Sequence, residues 1–119
     1  MHIWGVVMLP NQFFKMLSDE TRVRCLLLIA REQELCVCEL TYALKESQPK
    51  VSRHLAQLRQ SGILQDQRKG QWVYYRVAGN LPGWLQKIIN GLKQSNCLME
   101  QYKTDIEHLN AMKNRPDRC

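Results

Sequence analysis

The stretch Glu34–Arg59 sets the tightest limit on what this chain can fold into. A helical pattern begins near Cys36 or Val37 and runs to about Lys45. Glu46-Ser47-Gln48-Pro49 then restarts the chain. Ser47 is a good N-cap, and Pro49 falls in the first helical turn, where its missing N–H costs nothing. The helix that follows, about residues 48–61, keeps Val51, Leu55 and Leu58 on one face, with Gly62 as its stop. Two helices joined by a short turn, the second capped and basic, predict a helix-turn-helix.

The flanks extend that reading. Asn11–Leu17 is a short helix with Phe13, Phe14 and Leu17 as its apolar members. Ser18-Asp19-Glu20 offers caps and first-turn acids for a helix over Thr21–Arg31. Its core stripe is Val23, Leu26, Leu27 and Ala30, with Cys25 a small core or boundary residue off the stripe. After Gly62, a hairpin over about 63–78 turns at Lys69-Gly70. It sets Val73, Tyr75 and Val77 on one face and Trp72, Tyr74 and Arg76 on the other. A hairpin with a basic tip directly after such a helix is a wing. Beyond Pro82, Leu85, Ile88, Leu92, Met99, Tyr102, Ile106 and Leu109 recur at helical spacing, with Ser95 at the skipped position. One helix over about 83–113 would be on the order of 45 Å long. A sustained stripe on so long a helix predicts a homodimer through this helix and the apolar N-terminus. The tail Asn114–Cys119 is expected to be mobile. The fold class is thus mainly α with a small β-hairpin, a winged helix-turn-helix occupying residues 1–119 as one domain.

Charge separates the function classes. The 119 residues carry a net +6, and between Lys45 and Arg76 seven basic residues face two acids, Glu46 and Asp66. A basic segment of this kind predicts a polyanion footprint. Gln48, Lys50, Ser52, Arg53 and Gln57 lie opposite the apolar stripe of the second helix. Gln pairs with adenine, Arg with guanine, and Ser with a base edge or a phosphate. Lys50, Arg68, Lys69 and the helix N-terminus are expected to hold phosphates of double-stranded DNA. His54 sits beside the stripe, either structural or phosphate-facing. No apolar run reaches the 18 or more residues of a membrane span. Met1–Leu9 lacks a basic segment and a cleavage site, so a cytoplasmic chain is expected.

Five cysteines without an export signal are expected to be free thiols or metal ligands. Cys36 and Cys38 stand one residue apart, which is neither a zinc-knuckle nor a thioredoxin-like spacing. Two thiols this close suit a soft, thiophilic ion, and a helix start should favour their thiolates. Residues i and i+2 point about 200° apart on a helix, so sharing one ion would deform the first turn next to the recognition helix. The alternative is two small hydrophobes packed among Leu35, Val37 and Leu40.

The run Glu34-Leu-Cys-Val-Cys-Glu-Leu40, then Ser47-Gln-Pro-Lys-Val-Ser-Arg-His-Leu55 and Gly70-Gln-Trp-Val-Tyr-Tyr-Arg76, closely resembles the ArsR family of arsenical-resistance repressors. The likeness extends to Leu17-Ser-Asp-Glu-Thr-Arg22 and Pro82-Gly-Trp84 and spans about residues 9–90. It implies a homodimeric repressor that leaves an inverted-repeat operator when As(III) or Sb(III) binds Cys36 and Cys38. Close relatives carry a third cysteine where this chain has Thr41. A small thiol, water, Cys97 or Cys119 would then complete the three sulfurs or donors that As(III) favours. Zinc-sensing relatives use Asp, His and Glu in the C-terminal helices. Here Asp105, Glu107 and His108 lack a second downstream histidine and read as a solvated face.

Two other functions compete. A thiol-redox switch would oxidise Cys36 and Cys38 instead of ligating a metalloid. An enzyme is disfavoured, since the sequence has no paired acid and base, no phosphate loop and no His/carboxylate cluster at catalytic spacing.

Overall fold

The computed structural model describes residues 8–113 and residue 115. Its elements run α1 (Pro10–Met16), α2 (Glu20–Glu32), β1 (Leu35–Cys36), α3 (Val37–Leu44), α4 (Gln48–Gln60), β2 (Leu64–Lys69), β3 (Trp72–Val77), α5 (Gly83–Gln94), α6 (Asn96–Gln101) and α7 (Lys103–Ala111). Helices α3 and α4 form the helix-turn-helix, and β2–β3 form the wing.

Asp19 starts α2 by accepting the N–H groups of Thr21 and Arg22 at 2.8 and 3.3 Å. The buried surface of α2 is wider than the expected stripe. Cys25, Leu28 and Ile29 are buried together with Leu26, Leu27 and Ala30, while Val23 is only half-buried. Neighbours cover α2 from several sides, so a single 3.6-residue stripe understates its apolar face.

Ser47 caps α4 through the Lys50 N–H at 3.4 Å. Val51, Leu55 and Leu58 are fully buried. At the far end Gly62 takes φ 91°. The Ile63 N–H reaches the Leu58 carbonyl at 3.2 Å and the Gly62 N–H reaches Arg59 at 3.1 Å. This bond pair satisfies the last carbonyls of α4, with buried Ile63 over buried Leu58. The wing turns one residue later than expected. Lys69 pairs with Trp72 as the last rung, leaving Gly70 (φ 65°) and Gln71 as the two-residue turn.

Two further features depart from the sequence reading. First, the sheet has three strands in the order β1-β3-β2, and β1 pairs antiparallel with β3 through Leu35↔Tyr75 and Cys36↔Tyr74. Tyr74, expected on the face opposite Tyr75 and Val77, is buried at 1% exposure beneath this pairing. Second, the expected single helix over 83–113 is three helices. Ser95 is extended (φ −74°, ψ 115°) and caps α6 by accepting the Leu98 N–H at 3.3 Å. Tyr102 then separates α6 from α7. A serine side chain that satisfies the backbone competes with helix continuation, and the break lets Leu109 bury completely in the chain's own core. The C-terminal stripe is therefore spent partly on the same chain.

Candidate DNA-binding surface and thiol site

The exposed side of α4 carries the residues expected to read DNA, but not all stand alone. Arg53 and Arg68 are exposed and make no hydrogen bond or ion pair among the described residues. The Gln48 amide donates to Ser52 Oγ at 2.8 Å, which orients both at the start of the helix. Lys50 Nζ bonds Glu46 at 3.1 Å. Gln57 is exposed, and its Oε1 accepts from Arg22 Nη1 at 2.8 Å. The same Arg22 nitrogen lies 3.3 Å from Nδ1 of His54. His54, expected as structural or phosphate-facing, is buried at 5% exposure with Nε2 3.8 Å from Asp19. It belongs to the clasp between α2 and α4 and not to the exposed reading face. Arg22, which sequence reasoning passed over, is the hub of that clasp. Lys69 Nζ bonds Glu34 at 2.6 Å and stands 5.3 Å from the Tyr74 ring centroid.

The thiol site begins where β1 becomes α3. Cys36 is at once the last residue of β1 and the N-cap of α3. Its backbone N–H donates to Glu39 Oε1 at 2.9 Å, and its sulfur accepts from the Glu39 N–H, closing a capping box built with cysteine in place of serine. The Cys36-x-x-Glu39 spacing carried that signal. Glu39 is wholly buried, and its other oxygen accepts from Arg115 Nε at 2.7 Å. The tail expected to be mobile is thus anchored at residue 115; Asn114 and residues 116–119, Cys119 among them, lie outside the described residues.

The two sulfurs occupy different environments. Cys36 is 1% exposed, whereas Cys38 faces solvent. The expectation that the helix start would favour both thiolates fails at Cys36. Burial pushes its thiol up to about 11, and the Glu39 charge adds to this, outweighing the N–H groups of Glu39 and Cys38 that point at the sulfur. Thr41, one turn after Cys38, has a hydroxyl shut off from solvent with no hydrogen-bond partner among the described residues. As donors, the two thiols fit a soft ion. As placed, one sulfur looks inward and the other outward, so a shared ion requires the first turn of α3 to open. Cys97 is exposed on α6. Cys25 is fully buried, with its thiol pushed up to about 12 by that burial, and is a core residue.

The C-terminal Asp/His set is not the solvated face expected of it. Asp105 is 5% exposed and holds Arg24 through two bonds of 2.9 and 2.7 Å. Arg24 also donates to the Leu44 carbonyl at 2.9 Å. His108 Nδ1 donates to the Ala43 carbonyl at 2.9 Å, which fixes its tautomer. Only Glu107 is exposed. These side chains tie α7 to α2 and to the end of α3. No group of three or more His, Cys, Asp or Glu placed to hold a metal ion occurs among the described residues.

Comparison with known proteins gives one consistent answer. Residues 19–66 match the family described as bacterial regulatory protein, arsR family. The chain is 54% identical over 110 residues to the arsenic resistance transcriptional regulator ArsR1 of Pseudomonas putida, covering 92% of this chain and 84% of that protein. It is 47% identical over 102 residues to the arsenical resistance operon repressor of Escherichia coli, covering 86% of each. Among solved structures, the AntR antimony-specific transcriptional repressor aligns with a TM-score of 0.57 at 32% identity, over 76% of each chain. Reduced HlyU from Vibrio cholerae aligns with a TM-score of 0.62 at 29% identity, over 71% of this chain and 85% of that one. With its helix-turn-helix, its wing and these relatives, the chain belongs to the ArsR family of bacterial transcriptional regulators, and it is not an enzyme.

Proposed function

We propose that this protein is a metalloid-responsive repressor, which holds operator DNA as a homodimer and lets go when As(III) or Sb(III) engages Cys36 and Cys38. The observation that carries the reading is the position of the pair. Cys36 is shared by the wing sheet and the first helix of the helix-turn-helix, so a change at the sulfurs reaches both DNA-facing elements. Relatives described as arsenic-resistance and antimony-specific regulators support the choice of ligand. Each As–S bond that forms replaces an As–OH bond of arsenous acid, and the thiol proton leaves with that hydroxide as water, so no oxidant or reductant is needed.

Arg53, with Gln48 and Ser52, reads base edges of double-stranded DNA in the major groove. Arg68, Lys69 and the N-terminus of α4 hold phosphates, and Lys50 joins them on leaving Glu46. The dimer forms across α1 and α5, which meet through the Phe13 and Trp84 rings at 6.0 Å; Leu9 and Phe14 flank Phe13 at 54% and 57% exposure, and Ile88 and Leu92 of α5 are half-buried. It presents two α4 helices to an inverted repeat. As a regulator that binds chromosomal DNA, the protein would work in the cytoplasm. Among the described residues no helix is long and apolar enough to cross a membrane.

The test is fluorescence anisotropy of the protein on its own promoter DNA, titrated with arsenite under reducing conditions at fixed salt. The expected result is release by arsenite and none by zinc. Binding that ignores arsenite overturns the reading, and release by peroxide alone would assign the pair to thiol-redox sensing.

A further inference from the structure

We propose that the wing is a second output of the cysteine pair: engaging Cys36 draws β1 off β3 and leaves the hairpin without its third strand. The inference rests on the proposed ligation of Cys36 and Cys38 and adds which part of the DNA-binding surface responds to it.

One of the two sulfurs has to move before both can share an ion. Cys38 is exposed and meets an incoming ion first. For the ion to reach Cys36 in place, Cys38 would have to carry it inward. That side is closed by Tyr74, buried at 1% exposure in register with Cys36, and by the buried Glu39 carboxylate that Arg115 pairs. A packed interior does not admit a heavy ion without displacing side chains. Turning Cys36 outward is the less costly route.

Cys36 cannot turn outward alone. It is one of the two residues of β1, so its rotation removes the Cys36↔Tyr74 pair and strips the cover from buried Tyr74. What remains of the sheet is β2–β3, still seated on α2 and α4 but without the third strand that braces the middle of β3. A second link runs the same way. Glu34, two residues before Cys36, bonds Lys69 at 2.6 Å, and Lys69 forms the rung next to the turn. Through backbone pairing with the middle of β3 and an ion pair to Lys69 at the turn end of β2, the segment 34–36 holds both strands of the hairpin. Its withdrawal takes Arg68 and Lys69 out of their fixed positions. The loaded protein then loses phosphate contacts in addition to any change in α4.

Hydrogen exchange of the full chain, read by mass spectrometry with and without arsenite under reducing conditions, tests this. Arsenite is expected to speed exchange of the β3 amides (residues 72–77) by about tenfold or more, together with residues 36–40. Acceleration confined to 36–44, with 72–77 unchanged, would overturn the wing coupling and leave the proposed function standing. No change in either segment, with no release of DNA, would overturn both. Glu34→Gln removes the ion pair and keeps both thiols. It is expected to speed exchange at 64–77 several-fold without arsenite, while arsenite protects Cys38 from alkylation as in the parent chain. A wing unaffected by Glu34→Gln would remove Glu34 from the coupling.

Discussion

Two helix N-termini lie about ten residues apart in this protein and are finished in opposite ways. Ser47 starts α4 at the surface, and its hydroxyl satisfies one N–H while the rest of the turn stays open to solvent. Cys36 starts α3 in the interior. There the free N–H groups are met by a buried sulfur, a buried carboxylate answers the Cys36 N–H, and Arg115 closes over that carboxylate. The first arrangement keeps a positive helix end available to a phosphate. The second seals its helix end with groups that the proposed thiophilic ligand would have to pull apart. On the proposed function, one helix holds still against DNA and the other is opened, although the sequence places them side by side.

The largest effect expected from this contrast is at the sealed end. Cys38→Ser should leave operator affinity within about twofold and abolish release by arsenite, because it removes one of two sulfurs without touching the capping bonds of Cys36. Anisotropy titration checks it, and normal release by this variant would dissolve the distinction between the two helix starts. Next in size is the support behind α3. Asp105→Ala leaves Arg24, whose side chain is 18% exposed, without its bidentate partner. It should cost about 3 kcal/mol in urea unfolding, and a loss below about 1 kcal/mol would mean that α7 does not brace the helix. At the open end, Arg53→Ala should weaken operator binding by about 1–3 kcal/mol and relax specificity. Lys69→Ala should instead weaken operator and unrelated DNA alike and lower the salt slope by about one. Equal losses for the two variants would erase the division between base and phosphate contacts. The smallest effect belongs to Thr41→Val. It removes a shut-off hydroxyl that lacks a partner among the described residues, and should stabilise the protein by about 1 kcal/mol, read as a higher denaturation midpoint.

How much of this was legible in the sequence follows the range of each interaction. The caps and stops of α4 and the existence of the wing depend on residues within a few positions of one another, and Ser47, Pro49, Gly62 and Gly70 announced them. Strand β1 has two residues, too short for any periodicity, and exists because β3 offers it an edge. The breaks at Ser95 and Tyr102 were hidden because the apolar stripe continues across them; the core contact made by Leu109 chose the fold-back. The thiol pair was visible as a motif, and its opposed burial was foreshadowed by the i, i+2 geometry. The raised thiol of Cys36 was not, since a helix start argues for thiolate and only the buried surroundings reverse the sign. Asp105 and His108 read as surface for the same reason: their partners, Arg24 and the Ala43 carbonyl, are 81 and 65 residues away.

The Arg22 clasp bears on how such a protein changes its operator over evolutionary time or in an engineer's hands. Arg22 binds Gln57 and touches His54, so two polar positions of α4 are committed to seating the helix. Swapping them to chase a new base pair would shift the whole reading head. If α4 reads DNA as proposed, retargeting has a short alphabet to work with, namely Gln48, Ser52 and Arg53, while positions 54 and 57 form the socket into which any new recognition sequence has to fit.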